Sequence, residues 1–178
     1  MDFSSILNHD PASIEAKIAE FKSGFNSVFI SSLGKNGEVL SSYAPLIQSK
    51  HGDFIYISSV ADHYENIISN PNNISIMFLE DECAAASPIV RKRLRYKASA
   101  SKIERDSELF NSVFDEFEAK LGSARAIAQI RAMGDFAMFK LELSTGRAVF
   151  GFGKAYDINN GVITQATGAN PHNMPHKH

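Results

Sequence analysis

An α+β barrel is the fold class this sequence predicts, and three observations carry that prediction. About seven short segments show strand-like alternation, most are joined by connections of turn length, and helical periodicity is confined to three places. Connections this short cannot make the repeated parallel crossovers of a Rossmann-type sheet, so an antiparallel arrangement is expected. The chain has 178 residues, 44% of them hydrophobic and 21% charged, which suits one domain with a real core. Residues 1–158 are read as that domain and 159–178 as a His-rich loop or tail.

Taken in order, Asp10-Pro11 reads as a helix cap followed by proline at the first helical position, where its missing N–H costs nothing. Ile14, Ile18 and Phe21 then share a face, and Gly24 supplies a left-handed stop. Residues 25–33 favour a strand, Gly34-Lys35-Asn36-Gly37 a turn, and 38–49 the second arm of a hairpin. His51-Gly52-Asp53 turns into a strand over 54–58, a short helix follows over 61–69 up to Asn70-Pro71, and 74–79 is a fourth strand. Residues 80–90 read as a loop and 92–100 as a strand with Arg93, Arg95 and Lys97 on one side, Leu94, Tyr96 and Ala98 on the other. Leu109, Val113, Phe117 and Leu121 recur every fourth position, Gly122 stops that helix, and 123–132 continues as a second helical piece. Residues 136–143 and 147–158 are expected as the last two strands.

A formal net charge of −2 gives no global basic field, so neither nucleic acid nor an anionic membrane is an expected partner. The single cysteine, Cys83, cannot close an intramolecular disulfide, and thiolate zinc clusters are excluded with it. The start lacks the cationic head and apolar run of an export signal, and no stretch approaches a membrane span, so a cytoplasmic protein is expected. Thirteen Phe and no Trp place the aromatic bulk in residues without a polar handle, most of them expected in the core.

Chemistry is concentrated in few places. His172, His176 and His178 lie within the last seven residues, in a Gly- and Pro-bounded segment. Neutral imidazole is a common metal ligand, although terminal histidines also occur in solvated tails and in purification tags, which normally repeat His without interruption. Asp135 follows Gly134 before a very apolar strand, and serves there either as a strand-start turn residue or as an acceptor orienting a ligating histidine. Arg91, Lys92, Arg93, Arg95 and Lys97 either bind a phosphate or carboxylate or pair with Glu80, Asp81 and Glu82 on a solvated face. Gly151-Phe152-Gly153 lacks the third glycine of a dinucleotide fingerprint and falls inside an expected strand. His9, His51 and His63 have no evident partner, and Cys83 has no neighbour that would activate it.

Four strings carry a family likeness: Ser42-Tyr43-Ala44-Pro45, Glu104-Arg105-Asp106-Ser107-Glu108-Leu109, Gly134-Asp135-Phe136 and Gly151-Phe152-Gly153-Lys154-Ala155-Tyr156. In this order and spacing the chain resembles the HugZ/HutZ-type haem utilisation proteins along nearly its whole length. The resemblance implies an antiparallel split β-barrel related to the flavin-binding pyridoxamine phosphate oxidase fold, a homodimer, and haem bound and opened oxidatively at the subunit interface. It further implies that His172 ligates the haem iron, with His176 in reserve because the tail departs from the family pattern. The same resemblance implies that Asp135 supports that histidine and that Arg93 lies near the haem. Haem is then both substrate and cofactor, O2 the co-substrate and an external reductant the electron donor, with no bound flavin expected. A non-catalytic haem carrier or storage protein and an FMN-dependent oxidoreductase are the competing functions.

Overall fold

The computed structural model describes residues 10–121, 124–151 and 153–166. Helix α1, Pro11–Ser23, starts as expected, with the Asp10 carboxylate accepting from the Ser13 N–H at 3.3 Å. Its end differs. Gly24 is right-handed, at φ −74° and ψ −5°. The side-chain amide of Gln48 donates to the Lys22 and Phe25 carbonyls at 3.1 and 2.7 Å, so part of what a left-handed cap would satisfy is satisfied from the barrel wall.

Strands β1, Ser27–Leu33, and β2, Val39–Ser49, form the expected hairpin, closed where Gly37 takes φ 84°. β3, Gly52–Ser58, pairs with β2; helix α2, Asp62–Ser69, leads to β4, Ile74–Leu79, which pairs with β1. β5, Arg93–Lys102, pairs with β4 and then with β6, Phe136–Val149. β6 also pairs with β3, and this last ladder closes six antiparallel strands into a barrel. The loop over 80–90 contains one 3-10 turn, Pro88–Val90.

The two expected final strands are divided differently. β6 runs unbroken through Ser144, Thr145 and Gly146, where loss of the apolar alternation had suggested a gap. A register shift opposite Tyr96 and Ala98 bends the ladder there, and Gly146 brings the strands close, since a Cβ on it would meet the Arg95 carbonyl oxygen at 2.6 Å. The real break follows. Gly151 and Gly153 take φ 119° and 67°, so they belong to a turn rather than to the expected strand. β7, Ala155–Asn159, and β8, Val162–Gln165, then extend the sheet from the second half of β6. Eight strands are described, and β8 lies in the segment expected as a tail.

Burial explains the two patterns read in the sequence. Inward residues such as Ile30, Leu46, Ile55, Ile76, Phe78, Leu94 and Phe139 fill the barrel, with Ile14 and Ile18 of α1 and Ile67 of α2 packed on the same cluster. Outward residues of β3 and β6, including Phe54, Tyr56 and Met138, are covered by helices α3, Glu108–Leu121, and α4, Ala124–Ala132. These two strands are buried on both faces, hence their near-continuous apolar runs. Among the described residues β1, β4, β5 and the first half of β2 have no helix over their outward face and alternate instead, whereas Ile47 near the end of β2 is buried under α3.

Candidate functional site

The first candidate feature is the outward face of β5. Leu94 and Ala98 are buried inside the barrel, while Arg93, Arg95 and Lys97 are exposed, as the alternation predicts. The structure divides the basic stripe. Arg91 donates through Nε to the Glu80 carbonyl at 2.6 Å and lies 3.4 Å from the Glu82 carboxylate. Lys92 meets Glu80 twice, through Nζ at 3.1 Å and through its backbone N–H at 2.9 Å. That backbone N–H is the main reason the Glu80 carboxyl titrates below the usual range. Arg93 donates to the Arg91 carbonyl at 3.2 Å, and among the described residues Arg93, Arg95 and Lys97 meet no carboxylate.

The cations end an apolar row. Arg95 faces Met77 on β4, Met77 faces Phe29 on β1, and Phe29 faces Tyr43 on β2. Partners in register share a face of the sheet, so the row Tyr43, Phe29, Met77, Arg95 runs across four strands. Phe29 is 50% and Tyr43 61% exposed; Phe29 is an exception among the described Phe residues, of which Phe54, Phe78, Phe110, Phe114, Phe117 and Phe139 are buried as expected. The signal was present: Phe29 stands between Val28 and Ile30, both buried, so strand alternation alone turns it outward. On the other side, Arg147 is bound by Asp157 through two guanidinium bonds, 2.7 and 3.1 Å, which leaves Arg95 as the cation of that row without a carboxylate.

The second feature surrounds Asp135, exposed at the entrance to β6. Its carbonyl accepts from the Ser59 N–H at 2.7 Å and its Oδ2 from the Ser58 hydroxyl at 2.8 Å, so backbone and carboxylate are both tied to the end of β3. Oδ1 carries no hydrogen bond among the described residues. Ser58 was not singled out from the sequence, where nothing distinguishes a serine ending a strand.

Asp135 and Arg93 are not brought together within one chain. Asp135 precedes the first residue of β6, whereas Arg93 pairs with Val149, the last. Fourteen residues of strand separate those ends, roughly 40 Å of extended chain at about 3.3 Å per residue. His172 and His176 lie outside the described residues, as do His9 and His178. Among the described residues no group of three or more His, Cys, Asp or Glu could hold a metal ion. A cavity of about 950 Å³ opens between α1 and the loop after β4, lined by Phe21, Phe25, Glu80, Lys92, Phe150 and Lys154 among others, and contains neither Asp135 nor Arg93.

Two histidines without an evident partner in the sequence have one in the fold. His51 Nε2 lies 3.1 Å from the Ser112 hydroxyl. His63, 6% exposed on α2, bonds through Nδ1 to the Ser42 hydroxyl at 2.9 Å, with Nε2 buried and without a hydrogen-bond partner among the described residues. Burial lowers its pKa from 6.5, with Asp62 opposing. The unfolded chain therefore binds this proton more readily, so the neutral ring's stabilisation is present above about pH 6.5 and is lost as pH falls towards the folded value. Melting temperature is expected to decline between about pH 7 and 5, above the range where carboxylates protonate, and His63→Gln to flatten that limb. An unchanged slope in the variant would assign the decline to other groups.

A closed six-stranded antiparallel barrel with α3 and α4 over one side and an uncovered apolar and basic sheet on another defines the split-barrel class of proteins. The family described as Pyridoxamine 5'-phosphate oxidase matches residues 14–150. Haem oxygenase HutZ of Vibrio cholerae serotype O1 is 36% identical over 146 residues, covering 82% of this chain and 81% of the relative. The chain thus belongs to the pyridoxamine 5'-phosphate oxidase family and, within it, to the HugZ/HutZ-type haem utilisation proteins. Among solved structures, Campylobacter jejuni ChuZ superposes with a TM-score of 0.87 at 51% identity, over 94% of this chain and 68% of its own. Vibrio cholerae HutZ, there described as a haem storage protein, gives 0.70 at 34% identity, over 77% of this chain and 96% of its own. Among the described residues no helix is long and apolar enough to cross a membrane.

Proposed function

We propose that this protein binds haem between two copies of itself and opens the porphyrin oxidatively, releasing iron. The observation that carries the reading is the face of β1, β2, β4 and β5. It is an open sheet whose row Tyr43, Phe29, Met77 ends at Arg95, with Arg93 and Lys97 alongside and no carboxylate to neutralise them among the described residues. A planar apolar molecule with two carboxylates needs this combination: aromatic and thioether surface for the ring, guanidinium forks for the propionates. The separation of Asp135 from Arg93 supports the second copy. A haem that meets both takes one from each chain, because within a chain they stand at opposite ends of β6.

In this reading His172 would ligate the haem iron, with His176 in reserve. Asp135, its Oδ2 anchored by Ser58, offers Oδ1 to the other ring nitrogen; this fixes the tautomer and makes the imidazole a stronger donor. Arg93 and Arg95 hold the propionates and fix the orientation of the macrocycle in the cleft. Phe29 and Tyr43, packed against the second copy, exclude water from the ring. Haem would itself be the substrate and would supply the iron chemistry toward O2, with electrons from an external reductant.

The names of the relatives favour two outcomes, oxygenase and storage protein. Titration with haemin followed by a reductant in air separates them. Uptake in a fixed ratio, then loss of the haem absorption with release of chelatable iron and a linear tetrapyrrole, is the expected result. Haem taken up but unaltered identifies a storage protein. A yellow protein with an FMN spectrum that ignores haemin would replace both with flavin chemistry of the parent family. His172→Ala is expected to lose the axial-ligand spectrum while remaining dimeric, and an unchanged spectrum would move the ligand to His176.

A further inference from the structure

Two of the strings that carry the family likeness meet in space, and the haem reading uses only one of them. Arg105 lies just beyond β5. Its guanidinium donates to four acceptors: Nη1 to the Arg131 carbonyl at 2.8 Å, and Nη2 to the Met133 carbonyl at 2.7 Å, the Phe136 carbonyl at 2.8 Å and the Tyr56 hydroxyl oxygen at 3.3 Å. Arg131 is in the last turn of α4, whose terminal carbonyls have no intrahelical donor. Met133 and Phe136 bracket Gly134 and Asp135. The fork therefore spans both sides of the turn that presents the Asp135 carboxylate.

The surroundings make the hold rigid. Tyr56 stacks on Phe136 at 5.2 Å with 28° between the planes, and its hydroxyl donates to the Ile130 carbonyl at 3.2 Å. Asp106, next in sequence to Arg105, keeps φ 63°, an uncommon conformation for a residue with a side chain, and its carbonyl accepts from Asn111 Nδ2 at 3.0 Å. On the far side of the turn, Ser59 N–H and Ser58 Oγ bind the Asp135 carbonyl and carboxylate.

We infer that Arg105 is a positioning residue for Asp135. By gripping the carbonyls before and after it, Arg105 fixes the Met133-to-Phe136 turn, and with Ser58 it sets the direction in which Oδ1 is offered. The inference rests on the reading that Asp135 supports the axial histidine. Lysine keeps the charge of Arg105 but cannot reproduce a planar fork of several donors, so Arg105→Lys isolates geometry from charge.

The test compares Arg105→Lys, Tyr56→Phe, Ser58→Ala and Asp135→Asn by two readouts. In the haem-free protein, amide exchange at Ser59 reports whether the Asp135 carbonyl stays in place. In the reduced haem complex, the iron–histidine stretching frequency reports the hydrogen bond on the axial ring. Arg105→Lys is expected to accelerate Ser59 exchange about tenfold while haem uptake persists, and to move the frequency in the direction Asp135→Asn moves it. Ser58→Ala moves the frequency the same way with the melting temperature unchanged, and Tyr56→Phe does so more weakly, which keeps the test decisive should the lysine variant not fold. Lower stability in Arg105→Lys with wild-type Ser59 exchange and wild-type frequency would leave Arg105 a purely structural residue and overturn the inference. If Asp135→Asn leaves the frequency untouched, the parent reading of Asp135 fails and takes this one with it, whatever Ser59 exchange records.

Discussion

Phe114→Ala is expected to destabilise the protein by about 3–5 kcal/mol, a large part of the roughly 5–15 kcal/mol by which a domain of this size is stable. The ring is fully buried at the centre of the cluster that joins α3 and α4 to the barrel. It meets Tyr56 edge-on at 4.9 Å, Phe110 at 5.4 Å and Phe117 at 5.9 Å, and the Arg131 guanidinium lies 5.2 Å above it. Truncation leaves a cavity that four neighbours cannot all close, because Tyr56 is also held by its hydroxyl and by Phe136. The loss should extend to the surface. Arg131 shares its carbonyl with Arg105, and Tyr56 shares its hydroxyl with the same guanidinium, so loosening this cluster loosens the turn at Asp135. Chemical denaturation gives the size of the effect, and a loss below about 1.5 kcal/mol would mean that the cluster repacks and the helices are not rigidly seated.

How much of this was legible in the sequence depended on whether the cause was local. β4 and the split of β5 into a buried and a basic side followed from period-two alternation, because an uncovered strand has one wet face. The Asp10-Pro11 start followed from capping chemistry for the same reason. The end of α1 did not, because its carbonyls are met by Gln48, far away in sequence. The pattern divides β6 into two pieces, whereas the strand is continuous, because its continuity comes from pairing with β5 and β7 across Gly146, where its own side chains carry no apolar signal. Of the candidate site, local context marks Asp135 and the basic run from Arg91 to Lys97, and only the family resemblance selects Arg93 within that run; the placement of Asp135 and Arg93 at opposite ends of one strand is a property of the closed barrel. The partners of Asp135 and the four acceptors of Arg105 are tertiary contacts, and no spacing rule encodes them. The division of the basic run, Arg91 and Lys92 to carboxylates and Arg93 onward to solvent, needed the loop to return Glu80 and Glu82 beside the strand.

The open sheet face gives the second large effect. Phe29→Asp is expected to abolish dimerisation and haem uptake together while leaving the fold intact. At 50% exposure the side chain contributes little to the core, and a strand-propensity penalty of about 1 kcal/mol is what the monomer loses. Against a second copy the same substitution buries an unpaired carboxylate. Arg95, two strands away across Met77, stands roughly 9–10 Å off, too far for a short aspartate to reach. An uncompensated charge of this kind costs about 3–5 kcal/mol, and at about 1.4 kcal/mol per tenfold the dimer weakens by at least about 100-fold. The carboxylate also repels the propionates that Arg93 and Arg95 would hold, so haem binding falls even where protein concentration forces association. Sedimentation velocity with a haemin titration measures both, with the circular dichroism melt as control for folding. A variant that melts like the parent, stays dimeric and takes up haem with unchanged affinity would place both the dimer contact and the macrocycle on some other face of the barrel.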